Sequence, residues 1–337
     1  MLEADVELDR REFRLAAAFT VAAGQRLALF GPSGAGKTTI LEVVAGLLEP
    51  ARGTVTLDGR VLTRTAAPRR QVPPWQRRVG LLRQDPALFP HLSVRQNLAY
   101  AARARHGPAA AGPDEIARIA ERLGIGGLLD DRPARLSGGQ AHRVALGRLL
   151  ASRCDALLLD EPYTGLDASL RRDLTDLVRE LVAARQVPSV LVAHELEAAQ
   201  AFADQMAVLD HGQIRQTGTP AEVVAAPVAR RVAELVGYRS FVPLPGAAEG
   251  VVAAVHPDRV VAGRHPGRGV VLAGPVRSCR PSGAGWEATI ETAGTLVPAQ
   301  LRAPPGDGPP DFAFTVLDPP CFGPDGLRVS RPEEVPT

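Results

Sequence analysis

The stretch Gly31-Pro32-Ser33-Gly34-Ala35-Gly36-Lys37-Thr38-Thr39 fills every fixed position of the spacing G-x-x-x-x-G-K-[ST]. Its glycines let the backbone turn tightly, and N–H groups of the loop and the following helical turn can then point at polyphosphate oxygens. Phosphate binding is the chemistry this pattern fits. Lys37 would reach the β- and γ-phosphates, and the Thr38 hydroxyl would ligate Mg²⁺. Lys37 is also the only lysine among the 39 basic residues, every other one being arginine. A compact ammonium among phosphate oxygens has no equivalent in a planar guanidinium, so the one lysine stands where the chemistry demands it.

A second cluster is Ala156-Leu157-Leu158-Leu159-Asp160-Glu161-Pro162, an apolar run ending in two carboxylates. It reads as a central parallel strand with acids at its carboxyl end, where ligands sit in an open α/β sheet. Asp160 would hold the Mg²⁺ shell, and Glu161 would orient or deprotonate the attacking water. The competing reading makes the pair a helix start, since Pro162 also suits a first helical turn. His194 follows the apolar run Ser189 to Ala193 at the same expected edge, in reach of a γ-phosphate or the water. A lone histidine is more often structural than catalytic, and its position is what singles this one out.

These groups need elements to hold them. Arg26 to Phe30 reads as a short buried strand before the phosphate loop, and Ile40, Val43, Val44 and Leu47 after it recur at helical spacing. Residues 2 to 22 suit two strands around an Arg10-Arg11 turn, and Gly53 to Leu62 a hairpin through Asp58-Gly59, together an antiparallel flank. Arg64 to Arg78 has no period and reads as a loop with solvated charges. Val79 to Leu82 is a strand leading to Gln84, with helices expected over Ser93 to Arg105 and Pro113 to Leu123. Ser137-Gly138-Gly139-Gln140 alone is a weak turn or cap signal before a helix carrying Val144, Leu146, Leu149 and Leu150. An amphipathic helix over Leu170 to Ala184, a hairpin at Asp210-His211-Gly212 and two short helices around Pro227 come next. Beyond Val236 proline and glycine become dense, and alternation such as Trp286, Ala288, Ile290 with an Ala293-Gly294 turn predicts a small all-β domain.

The 337 residues suit two domains. A net charge of +2 gives no general case for nucleic acid or an anionic membrane as partner. Cys154, Cys279 and Cys321 form no C-x-x-C pair, which fits a reducing compartment and no structural zinc. The acidic start Met1-Leu2-Glu3-Ala4-Asp5 does not look like a secretory signal, and no apolar run is long enough to span a bilayer.

The ordered set GPSGAGKTT, Gln84, LSGGQ, ALLLDEP, Asp167 after Gly165-Leu166, and His194 resembles the ATP-binding cassette (ABC) family over residues 1 to 236. The resemblance implies an α/β fold, a P-loop cassette with an antiparallel β flank and a helical insertion at about 85 to 140. Residues 237 to 337 resemble the small OB-like regulatory domains (TOBE/MOP-type) of importer ATPases. It further implies a homodimer in which ATP and Mg²⁺ lie between the Lys37 loop of one subunit and Ser137, Gly138, Gly139 and Gln140 of the other. Gln84 would sense γ-phosphate and magnesium, and Asp167 would pass information between subunits. Glu161 and His194 would keep the hydrolytic roles. The insertion would dock a membrane permease fed by a solute-binding protein, at the cytoplasmic face of the membrane. The usual adenine-stacking aromatic has no clear match, since Phe13 is offset and Leu8 lies closer to the expected place. Arg78 to His91 followed by Asn97-Leu98-Ala99-Tyr100 is most similar to molybdate importer ATPases, although iron, sulfate, polyamine and sugar importers share most of it. Cassette proteins acting on nucleic acid usually bring two cassettes, coiled coils or basic arms, and this chain shows one cassette and no long heptad run. A nucleotide-binding switch without transport is the third class.

Overall fold

The computed structural model describes residues 1–9, 13–103, 112–163, 167–244, 247–265, 269–283, 285–304 and 312–330. The Arg10-Arg11 turn, the end of the helix expected to reach Arg105, and the Gly165-Leu166 step lie outside the described residues. The chain groups into two units, Met1–Pro220 and Ala221–Thr337.

In chain order the first unit runs β1 (Leu2–Asp9), β2 (Arg14–Val21), β3 (Arg26–Phe30), α1 (Lys37–Ala45), β4 (Arg52–Leu57), β5 (Arg60–Arg64), β6 (Arg70–Gln71) and β7 (Val79–Leu82). It continues through α2 (Val94–Arg103), α3 (Pro113–Arg122), α4 (Gly138–Ala151), β8 (Ala156–Asp160), α5 (Ala168–Arg185), β9 (Ser189–Ala193), α6 (Leu196–Phe202), β10 (Gln205–Asp210) and β11 (Gln213–Gly218). The strands form one eleven-stranded sheet in the order β6-β5-β4-β1-β2-β11-β10-β3-β9-β8-β7. Strands β10, β3, β9, β8 and β7 are mutually parallel. Their sequences are apolar on both faces because both faces are covered: Leu27, Leu29, Leu157 to Leu159 and Val190 to Val192 are all at most 2% exposed. Each such side chain contributes about 1.5–3 kcal/mol of burial, so the centre of the sheet is the rigid part of the unit. The flank behaves differently. In β1, Leu2, Ala4 and Val6 are buried while Glu3 and Asp5 face out, and the inward set packs with Ile40, Leu41, Val43 and Val44 of α1 in one core.

The sheet order carries the functional consequence. Strand β8 lies between β7 and β9, and β9 lies beside β3. The segment after β3, the two acids ending β8 and the histidine after β9 therefore leave the sheet at one edge, as the sequence pattern requires.

Residues 64–78 are not simply a solvated loop. They contain β6 and a short 3₁₀ turn, Pro74–Gln76, and they bury Arg77 completely. The Arg77 guanidinium donates to the carbonyls of Val43 (3.1 Å), Val44 (2.9 Å) and Val72 (2.7 Å) and to Thr63 Oγ1 (2.7 Å). It thereby closes the carboxyl end of α1, where helical carbonyls have no internal partner. Other arginines repeat this use: Arg143 donates to Leu123 and Gly124 after α3, and Arg185 to Leu150 and Ser152 at the end of α4. A fork with five donors can bridge two carbonyls at once, which gives the arginine-rich composition a structural use beyond solvation.

In the helical insertion, buried Asn97 receives the Phe89 N–H (2.9 Å) and donates to the carbonyls of Phe89, Leu92 and Ser93. Part of the stretch that resembles a molybdate importer is thus occupied in holding its own loop.

Among the described residues of the second unit, α7 (Pro220–Ala225), whose first residue ends the first unit, and α8 (Arg230–Leu235) are followed by three antiparallel sheets. Contacts place the boundary at Pro220, earlier than the compositional change after Val236: the Tyr238 hydroxyl donates to the Val224 carbonyl at 2.8 Å, binding α7 to the chain beyond α8. The inward alternation expected around Trp286 holds, with Ala288 and Ile290 fully buried beside Val297, Phe314 and Val316. Among the described residues no helix is long and apolar enough to cross a membrane.

Candidate functional site

The segment Gly31–Gly36 leaves β3 and turns into α1. Gly31 has φ 157°, and a Cβ there would stand 2.0 Å from the Leu209 carbonyl oxygen. Gly36, the residue before α1, has φ 103°, and a Cβ there would meet Leu15 at 2.9 Å and the Phe13 ring at 3.3 Å. Both positions therefore require glycine, and the tight turn follows from that requirement.

Lys37 opens α1 and is 5% exposed. Its Nζ donates to the carbonyls of Gly31 (2.7 Å) and Pro32 (2.8 Å). Burial pushes the ammonium below its ordinary range, partly offset by Glu161 and Asp160. Two of its three donors serve the loop, and the third is available to an anion. Thr38 Oγ1 donates to Asp160 Oδ1 at 3.1 Å, so the first turn of α1 meets the end of β8. Burial raises the Asp160 carboxyl, and the neighbouring Glu161 adds to that while Thr38 and Lys37 oppose it.

Glu161 has a left-handed backbone, φ 49°, directly after β8. A non-glycine residue held there costs about 1–2 kcal/mol, and here it turns the carboxylate toward the cleft instead of continuing the strand. Its Oε1 lies 3.5 Å from His194 Nδ1. Ser33, Gly34, Gly36, Lys37, Thr38, Thr39, Gln84, Glu161 and His194 line one cleft of about 800 Å³. Gly31, Pro32 and Ala35 are not among its lining residues: the first two hold Lys37 through their carbonyls, and Ala35 is buried.

Sequence patterns miss part of this wall. Asp9 and Phe13 also line the cleft. Leu8, the residue nearer the expected aromatic position, is partly buried against the core and is absent from the cleft lining. Only the folded hairpin places the Phe13 ring against Gly36, so no spacing rule could have chosen it. Ser137, Gly138, Gly139, Gln140 and Asp167 are likewise not part of this cleft. Ser137 caps α4 in a reciprocal pair: its hydroxyl accepts from the Gln140 N–H at 3.3 Å, and Gln140 Oε1 accepts from the Ser137 N–H at 2.8 Å. Asp167 caps α5 by accepting from Ser169 and Leu170 N–H groups at 3.0 Å, and these bonds, Leu170's foremost, hold its carboxyl below the usual range. His142, buried on α4, hydrogen-bonds the Pro162 carbonyl, and burial lowers its imidazole below the ordinary value. This joins the helix after Ser137 to the turn after Glu161.

The residues present suit a magnesium ion. One hydroxyl and one carboxylate stand together at Thr38 and Asp160, with the Gln84 amide on the same cleft. Among the described residues no group of three or more His, Cys, Asp or Glu side chains could form a closed metal cage. Few protein oxygens, with the rest supplied by water and phosphate, is the arrangement Mg²⁺ prefers.

Comparison with known proteins agrees with this geometry. The family model described as ABC transporter matches residues 16–164. The molybdenum import ATP-binding protein ModC of Mycobacterium tuberculosis is 44% identical over 228 residues, covering 66% of this chain and 62% of that protein. The sulfate/thiosulfate import ATP-binding protein CysA of Mycobacterium bovis is 39% identical over 255 residues, covering 76% of this chain and 68% of that protein. The sn-glycerol-3-phosphate import ATP-binding protein UgpC of Cereibacter sphaeroides is 37% identical over 254 residues, covering 75% and 71%. Among solved structures, the dimeric post-hydrolysis state of the cassette MJ0796 bound to ADP and Pi superimposes with a TM-score of 0.57 at 24% identity, covering 65% of this chain and 99% of that one. With the glycine loop, Lys37, Glu161 and His194 lining one cleft, and with relatives matched over two thirds of their length, this chain belongs to the ABC transporter family.

Proposed function

We propose that the chain binds ATP with Mg²⁺ in this cleft and hydrolyses it to drive solute import through a separate membrane permease, as a homodimer at the cytoplasmic face of the membrane. The convergence of Lys37, Thr38, Gln84, Glu161 and His194 on one cleft carries this reading. Thr38, Asp160 and Gln84 would hold Mg²⁺, whose charge would neutralise the phosphate oxygens. The Lys37 ammonium would hold the β- and γ-phosphates, and the Phe13 ring would offer an apolar face to the base. Glu161 would orient the attacking water and accept its proton, while His194 would keep both in place. Ser137 to Gln140 cap an exposed helix start away from this cleft, which suits a role against the nucleotide of a second copy. Co-purification of the tagged chain with a polytopic membrane protein, together with phosphate release dependent on ATP and Mg²⁺, tests the proposal. Absence of both would overturn it.

For the cargo, we infer molybdate or a similar oxyanion, with the second unit as an OB-like regulatory module. The 44% identity to a protein named for molybdenum import supports this, and the sulfate-named relative fits the same tetrahedral class. Backbone N–H groups in turns of the β unit could hold such an anion without a dedicated charge. Calorimetric titration of the full chain with molybdate, tungstate and sulfate decides it: saturable molybdate binding supports the reading, and silence toward all three removes it.

A further inference from the structure

Strand β9 ends at Ala193 and α6 begins at Leu196, so His194 and Glu195 occupy the turn between them. Glu195 is the residue before the first helical turn of α6, a position where short polar side chains bond back to the helix N–H groups. It makes no such bond. Its carboxylate turns away instead: Oε2 pairs with the Arg171 guanidinium of α5, and Oε1 stands 3.8 Å from His194 Nε2. The other ring nitrogen, Nδ1, stands 3.5 Å from Glu161 Oε1. Arg171, Glu195, His194 and Glu161 thus form a row, and all four border a small cavity of about 120 Å³ on the wall of the cleft.

A neutral imidazole carries one donor and one acceptor nitrogen, and here a carboxylate stands at each, so the two acids compete for the single ring N–H. The His194 side chain is 48% exposed, so packing alone does not fix the ring. We propose that Glu195, anchored by Arg171, is a positioning residue for His194: its carboxylate draws the Nε2 edge of the ring toward itself, competes with Glu161 for the single ring N–H, and so sets the orientation in which Nδ1 faces Glu161. This rests on the hydrolytic reading of the cleft. The exposure of the pair limits its Coulomb energy, so the contribution lies in orientation more than in stability. Partners that orient a metal-bound imidazole are worth about 10–100-fold in activity, and the exposed setting of His194, without a metal bond, places Glu195 at the lower end.

The same ion pair could instead only tie α5 to the turn before α6, and the experiment separates the two. Full-length wild type, Glu195→Gln, Glu195→Asp, His194→Gln and the double variant Glu195→Gln/His194→Gln are compared for kcat, KM for ATP and melting temperature. Histidine-labelled ¹⁵N spectra are recorded at one alkaline pH, with His194→Gln assigning the resonance. Glu195→Gln is expected to lower kcat about 10-fold at unchanged KM, and to shift the His194 tautomer balance toward Nδ1–H, where Glu161 is the remaining carboxylate. Glu195→Asp should behave alike while melting no lower, because the shorter acid is a better helix cap but stops short of the ring. In the His194→Gln background Glu195→Gln should cost nothing further, the signature of two residues acting as a unit. An unmoved His194 tautomer, an undiminished loss in the His194→Gln background, or a KM rise parallel to a fall in melting temperature would overturn the inference. If the wild type itself hydrolyses no ATP, the functional reading fails, and the tautomer spectra alone still decide whether Glu195 sets the ring.

Discussion

Replacing Lys37 by arginine keeps the charge and should still remove hydrolysis. The Lys37 side chain is buried at 5% exposure, and its Nζ sits between two loop carbonyls at 2.7 and 2.8 Å. A guanidinium brings five donors in a plane to a slot with two acceptors, so it either leaves donors unpaired or opens the loop that must cradle phosphate. Loss of a charge-assisted hydrogen bond costs about 1.5–3 kcal/mol, and loss of one preorganised contact to developing charge costs about 2.7–4 kcal/mol, or 10²–10³ in rate. The expected outcome of Lys37→Arg is therefore a fall in kcat of at least about 100-fold. Phosphate release at saturating ATP and Mg²⁺ measures it. Because Lys37 is the only lysine, an amine-reactive reagent followed by mass spectrometry reads this one side chain, and ATP should slow its labelling in the wild type. Near-normal turnover in the variant, or labelling indifferent to ATP, would refute the reasoning.

Glu161→Gln should keep ATP binding and stop hydrolysis, because phosphate and metal contacts remain while the group that orients water loses its charge; gel filtration with ATP and Mg²⁺ should show a trapped dimer, and a monomer that still turns over would count against it. Arg77→Met should destabilise the chain by about 3 kcal/mol, since it removes the donor to the buried Val44 and Val72 carbonyls and the Thr63 hydroxyl and leaves Val43 with the Gly46 N–H alone; denaturant unfolding checks this, and a change under about 1 kcal/mol would contradict the bracing role. Acidification should destabilise the chain through His142. Its imidazole titrates below the ordinary 6.5 in the folded state because it is buried, so between the folded value and 6.5 the unfolded chain binds more protons and stability falls as pH drops. In His142→Gln the loss of melting temperature on acidification below 6.5 should be smaller than in the wild type, and parallel curves would show that other groups set the slope.

Much of the candidate site is legible in the amino-acid sequence alone, for a physical reason. The phosphate loop, the acids ending β8 and His194 after β9 are each a local pattern: a glycine turn between strand and helix, or an apolar run ending in a polar group. Local patterns depend on near neighbours in the chain, which a sequence displays directly. The hairpin at Asp58-Gly59 and the strands over residues 79–82, 156–160 and 189–193 are legible on the same ground. Meetings between distant segments need the fold. Thr38 reaches Asp160 only because the sheet order sets β8 two strands from β3. Phe13 enters the cleft because the β1–β2 hairpin lays it on Gly36, while Leu8, the better match by spacing, turns to the core. Arg77 reads in sequence as one more solvated charge in a loop without period, and it is the buried brace of the helix that begins with Lys37. Composition can say that a residue is charged, but whether water or a helix end satisfies that charge is decided by which carbonyls the tertiary fold brings within 3 Å of it.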